Sequence, residues 1–122
     1  MQVNSYQDLK VWQDGMQLAE DCYCFTKGFP REEMFGMTSQ IRRAAAAIPA
    51  NIAEGWGREG TREYIRFLRV AQGSLKELET HLILCQRVGL AQAQSVNLLL
   101  QRTTALGKMM RSLIGSLQRK LK

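Results

Sequence analysis

Tyr64-Ile65-Arg66-Phe67-Leu68-Arg69-Val70-Ala71-Gln72-Gly73-Ser74-Leu75-Lys76-Glu77-Leu78-Glu79-Thr80-His81-Leu82-Ile83-Leu84-Cys85 is the stretch that decides the fold. Tyr64, Leu68, Ala71, Leu75, Leu78, Leu82 and Cys85 recur at alternating steps of three and four residues, which puts them on one face of an α-helix. Arg62, Arg66, Arg69 and Lys76 recur at the same spacing on another side and project together into solvent. Gly60 before the stripe and Gly89 after it bound the helix. A helix with one apolar stripe must bury it against other elements, so the flanking sequence has to supply partners.

It does so in both directions. Upstream, Gly55, Gly57 and Gly60 punctuate the turn into this helix, and Glu63 is placed to reach back to its first free N–H groups. Before that turn Ile41, Ala45, Ile48, Ile52 and Gly55 continue the helical spacing over a segment from about 38 to 57. Met37-Thr38-Ser39 opens it, with Thr38 or Ser39 as the cap. Pro49 removes one backbone donor and crowds the Ala45 carbonyl, which predicts a kinked helix; two shorter helices meeting at Pro49 are the alternative. A short loop from Phe29 to Gly36 comes earlier, with Pro30 suited to the first position of a helical turn. In the first segment Leu9, Trp12, Met16, Ala19, Tyr23 and Thr26 share a face, and Gly28 and Pro30 end it. A second stripe of Val11, Leu18, Cys22 and Phe25 makes this helix apolar on two sides. A small bundle has no interior helix, so the second stripe is expected to be a subunit interface, tight enclosure within one chain being the alternative. Downstream, Val96, Leu99, Thr103, Leu106, Met110, Leu113 and Leu117 line a fourth helix from about 91 to 119, closed by Arg119, Lys120 and Lys122.

Four amphipathic helices with short connections predict an all-α fold, an antiparallel up-down four-helix bundle with a proline-kinked second helix, in one domain over residues 1–122. A chain of 122 residues with 45% hydrophobic side chains has apolar surface enough for such a core and is not disordered. No apolar run is long enough to span a bilayer, and Met1 to Trp12 has no signal-peptide core, so the expected location is the cytoplasm with no membrane partner.

Chemistry is sparse. Cys22, Cys24 and Cys85 form no even disulfide framework, and Cys22 and Cys24 point too far apart on a helix to chelate one metal, so all three are expected to be small buried hydrophobes. His81 is the only histidine, which leaves neither a metal set nor an activating base for a nucleophile. The expectation is a non-enzyme with no cofactor and no metal. Charge is the informative property. The net charge of +6 is unevenly held: residues 1–40 balance at −3, residues 41–122 at +9, and the final 32 residues carry six basic groups and no acid. Arg62, Arg66, Arg69 and Lys76, with Arg42 and Arg43, are candidates for phosphate contact, against the plainer reading that they pair with Asp8, Asp14 or Glu54 or merely solvate the surface.

Thr38-Ser39-Gln40-Ile41-Arg42-Arg43-Ala44-Ala45, continuing through Ile48-Pro49-Ala50-Asn51-Ile52-Ala53-Glu54-Gly55-Trp56-Gly57-Arg58, resembles the signature of the four-helix-bundle proteins encoded in intervening sequences of bacterial 23S ribosomal RNA genes. Asp8-Leu9-Lys10-Val11-Trp12 and Glu63-Tyr64-Ile65-Arg66-Phe67-Leu68, followed by Gly73-Ser74-Leu75 and Glu77-Leu78-Glu79, are similar to other segments of that family, so the resemblance covers nearly the whole chain. Leu90-Ala91-Gln92-Ala93-Gln94 departs from it, where members often carry a hydroxyl cap and several acids. The resemblance implies a homopentamer without catalytic residues, related to accessory proteins of diversity-generating retroelements, which bind nucleic acid and a reverse transcriptase. The function expected on this footing is binding of RNA or DNA through Arg42, Arg43, Arg58, Arg62, Arg66, Arg69 and Lys76, with Val11, Leu18, Cys22 and Phe25 in the oligomer interface. The alternative is an adaptor that docks a protein such as a reverse transcriptase.

Overall fold

A computed structural model of the chain describes residues 2–121, and the expected contribution of Lys122 to the last helix lies outside them. Among the described residues there are four α-helices and no strand: α1 Lys10–Thr26, α2 Met37–Gly57, α3 Thr61–Arg87 and α4 Ala93–Lys120. Short 3-10 turns at Tyr6–Asp8 and Arg31–Glu33 precede α1 and α2. No helix among them is long and apolar enough to cross a membrane.

The helices close a ring in which each packs on its two chain neighbours and α4 returns to α1. Along two of the pairs the contacts run in reverse order: the Gly15 backbone faces Pro49 while Thr26 bonds Arg42, and Gly107 faces Leu75 while Thr103 bonds Glu79. α1 and α2, and likewise α3 and α4, therefore run in opposite directions. Ile41, Ile48, Ile52, Leu68, Leu75, Leu78, Leu82, Leu106 and Met110 fill the centre at 2% exposure or less. Each such side chain contributes about 1.5–3 kcal/mol by leaving water.

Helix ends follow local chemistry, with two departures from expectation. α3 stops in a Schellman arrangement: Leu90 N–H donates to the Cys85 carbonyl at 2.9 Å, Gly89 N–H to that of Gln86 at 3.2 Å, and Gly89 takes the positive φ of 81° that the turn needs. Neither Thr38 nor Ser39 caps α2. The helix starts at Met37, whose N–H donates to Glu33 Oε1 at 3.1 Å, and Thr38 is buried inside it. Glu63 does not reach back to the start of α3; it turns forward to Arg66. α2 is continuous through Pro49, which excludes the pair of shorter helices. On α4 Ile114 is buried and Leu113 only half so, because the stripe shifts by one position as the helix turns around its neighbours.

The larger correction concerns α1. Val11, Leu18 and Cys22, expected to meet another subunit, are 5%, 2% and 0% exposed inside the single chain, and Phe25 packs against the same core. Met16 and Tyr23, expected inside, are 38% and 44% exposed. α1 turns Gly15, Ala19, Cys22 and Thr26 inward as its closest-packing line, with Leu18 reaching the core beside α4 and Ile48 and Pro49 of α2 against Gly15. Trp12, Met16 and Tyr23 are left on the outer flank toward α2.

Candidate nucleic-acid interface

At 100° per residue Arg66, Arg69 and Lys76 each fall within about 40° of Arg62 around α3, so the row occupies an arc of about 80°, and all four are exposed. The turn before α3, with Gly60 at φ 95°, brings Arg58 to the start of the row. Phe67 lies between two guanidinium groups, Arg58 Cζ 5.0 Å and Arg66 Cζ 4.6 Å from its ring centre. Arg58 also meets Glu54 at 3.1 Å, and Arg66 makes a forked pair with Glu63 at 3.0 and 3.2 Å. That pair holds the Glu63 carboxyl below its ordinary pKa and raises that of Arg66, in both cases chiefly through the hydrogen bond. Lys76 meets Glu79 at 3.1 Å, and Glu79 in turn accepts from Thr103 Oγ1 at 2.7 Å. Ion pairs at the surface, such as Arg58–Glu54 and Arg66–Glu63, add little to stability and exchange readily for a phosphate. Arg62 and Arg69 have no carboxylate within bridging distance among the described residues.

α4 supplies a second row, outside the seven residues expected from the sequence. Lys108, Arg111 and Arg119 lie within about 40° of Gly115 around the helix, and none meets a carboxylate among the described residues. Gly115 and Arg119 share a surface depression with Arg62, which sets this row beside that of α3. The signal was present in the acid-free last 32 residues; what was missing was the direction in which their basic groups point.

Arg42 and Arg43 belong elsewhere. They sit 16 residues before Arg58 on α2, about 24 Å along the axis. Arg42 is a structural tie rather than a free cation, because its Nε donates to Thr26 Oγ1 at 2.9 Å and its guanidinium lies 4.7 Å from the Tyr23 ring centre. The expected partners Asp8 and Asp14 do not engage it, whereas Glu54 does engage Arg58. Arg43 is exposed at the rim of a depression with Phe35. The seven expected residues thus divide into a cluster from Arg58 to Lys76 and a separate pair.

An apolar groove of about 690 Å³ follows the outer flank of α1 and α2, lined by Tyr6, Trp12, Met16, Tyr23, Pro49 and Ala50 among others. The small Ala46, Ala50 and Ala53 leave it open beneath the larger residues of α1. The loop at its end carries Met34 at 49% and Phe35 at 95% exposure. Among the cysteines Cys22 and Cys85 are buried, which pushes their thiols up to about 12 and about 11, with Asp21 and Glu33 adding smaller effects. Cys24 is exposed, contrary to expectation, because it lies two positions from Cys22 and so on the far side of α1. His81 is half-buried, its Nε2 3.5 Å from the Glu77 carboxylate one turn earlier on α3.

Residues 7–112 match the family described as 23S rRNA-intervening sequence protein. Among solved structures, the chain is similar to a protein with unknown function from the S23 ribosomal protein family of Bacteroides thetaiotaomicron VPI-5482. The two share 24% identity and superpose with a TM-score of 0.77 over 85% of this chain and 97% of the other, a likeness of fold. No curated protein matches.

Proposed function

The chain belongs to the 23S rRNA-intervening sequence protein family, and we propose that it works as a non-enzymatic, homo-oligomeric bundle that binds nucleic acid through the basic face of α3 and α4. The observation that carries the proposal is the pair of adjoining cationic rows, with Arg62, Arg69, Lys108, Arg111 and Arg119 unneutralised among the described residues. Arginine's forked donors suit phosphate oxygens, and such contacts release counterions from the polyanion. Assembly would multiply the effect: five copies, the number implied by the family resemblance, carry a net charge of about +30, and weak contacts sum through avidity.

The α1–α2 groove supports self-association, with the face exchanged from that expected. A groove this apolar beside a protruding Phe35 offers one subunit a hollow and its neighbour a knob, and a head-to-tail contact of that kind closes into a ring when its rotation permits. Met16→Asp with Tyr23→Asp should lower the mass measured by light scattering while circular dichroism keeps its helical signal. A wild-type mass of 13.9 kDa at micromolar concentration would end the oligomer claim. The same groove favours a second reading, an adaptor that docks a protein such as the reverse transcriptase of a retroelement. A pulldown at high salt separates the two, because apolar docking survives screening and phosphate binding does not. The proposal itself is tested by gel shift with RNA and DNA near 50 mM salt, where failure to retard any of them would refute it.

A further inference from the structure

Resting on the proposed nucleic-acid binding, we infer that the α3–α4 face takes the sugar-phosphate backbone of a double strand and discriminates against unstacked single strands. Its cations stand in two rows on neighbouring helices rather than in one. Packed helix axes lie about 8–10 Å apart, a separation comparable with the roughly 6–12 Å widths of the grooves between the two phosphate strands of a duplex. Along α3, Arg62 to Lys76 spans about 21 Å, and along α4 Lys108 to Arg119 about 17 Å, enough for several phosphates on each strand. A single strand following either row leaves the other without a phosphate.

The second observation is where the aromatic rings lie. Single-strand binding relies on exposed aromatic faces on which splayed bases stack. Phe67, the ring nearest the cationic rows, has guanidinium groups from Arg58 and Arg66 over it. Trp56 and Tyr64 pack edge-to-face with ring centres 6.2 Å apart. The exposed rings, Tyr23 and Phe35, are on α1 and the α1–α2 loop, and α1 packs on α2 and α4 but not on α3. The cationic face therefore offers charge without stacking platforms. Recognition of this kind reads backbone geometry and not base sequence.

Fluorescence anisotropy on the full chain tests the inference with an RNA duplex of about 20 base pairs, the matching DNA duplex, and an oligouridine of about 40 nucleotides carrying a similar number of phosphates. Both duplexes should bind at least about tenfold more tightly than the oligouridine near 100 mM salt, with little dependence on sequence. The RNA and DNA arms show which duplex geometry fits better. Arg69→Ala with Arg111→Ala should remove most of the duplex preference, whereas Lys10→Ala with Arg31→Ala, equal in charge loss and outside the face, should keep it. Oligouridine binding as tight as duplex binding, or a preference that survives the Arg69/Arg111 variant, would overturn the inference and leave nucleic-acid binding standing. Absence of binding to all three probes would instead remove the proposal beneath it.

Discussion

Leu18→Ala and Met16→Ala, two residues apart on α1, should have opposite consequences. Leu18 is 2% exposed in the core and Met16 38% exposed in the groove. Truncating a buried leucine removes its transfer free energy and leaves a cavity, together about 2–5 kcal/mol. Leu18 also borders a small depression with Asp14, Arg102 and Leu106, so water and side chains relax into part of the space. That places the loss near the lower half of the range, about 2–3.5 kcal/mol, a large share of the roughly 5–15 kcal/mol that keeps a domain folded. With a urea dependence of about 1–3 kcal/mol per molar, the unfolding midpoint should fall by about 0.7–3.5 M. Met16→Ala removes atoms that are partly in water and should cost the subunit less than about 1 kcal/mol. The assay is urea unfolding by circular dichroism at several protein concentrations. The Leu18 loss should be the same at each, while any Met16 loss that grows on dilution reports subunit contact. Equal subunit losses for the two variants, or a Leu18→Ala protein with an unchanged midpoint and a reduced assembly mass, would refute the assignment of the two faces.

Four further outcomes follow from the packing and from the buried groups. Gly55→Ala places a Cβ 2.8 Å from Phe67 Cβ and 3.1 Å from the Tyr64 carbonyl, and the overpacking should outweigh the gain in helix propensity and destabilise by about 1–3 kcal/mol in thermal unfolding. Glu33→Ala, which leaves the Met37 N–H without its acceptor, should cost about 0.5–2 kcal/mol, and Glu33→Gln should restore most of it; equal losses would contradict the capping role. Iodoacetamide at neutral pH should modify Cys24 alone, read as one adduct by mass spectrometry, since Cys22 and Cys85 are buried. Burial raises the Cys22 thiol from an ordinary 9.0 to about 12, so the unfolded chain loses that proton first and the associated stability, complete below pH 9, should decline as pH climbs toward 12.

The fold was legible because apolar spacing and glycine punctuation agree along α2, α3 and α4: from Leu68 to Cys85 every stripe residue named is buried. The two faces of α1 were not legible from side-chain size. Trp12, Met16 and Tyr23 look like core because they are large, yet the polar arc of Lys10, Gln13, Asp14, Gln17, Glu20 and Asp21 is centred opposite Gly15, Ala19, Cys22 and Thr26, and those small residues mark the side where helices approach closely. The polar arc was the better guide. In the candidate site the row from Arg62 to Lys76 followed from spacing alone, because every member is on one helix. The contribution of α4 depends on the register between two helices, and the capture of Arg42 by Thr26 and Tyr23 depends on a contact across 16 residues. Neither is a local property of the chain.

Cations of α3 and α4 that engage phosphates make duplex affinity steeply dependent on salt. For a duplex bound by the wild type, the logarithm of affinity should fall linearly with that of salt, by about 0.9 for each phosphate neutralised. Replacing Arg62, Arg69 and Arg111 together by alanine should make the slope shallower by about 2–3 for each subunit that touches the duplex. A slope that stays unchanged while those three cations are gone would show that the α3–α4 face does not hold the phosphates.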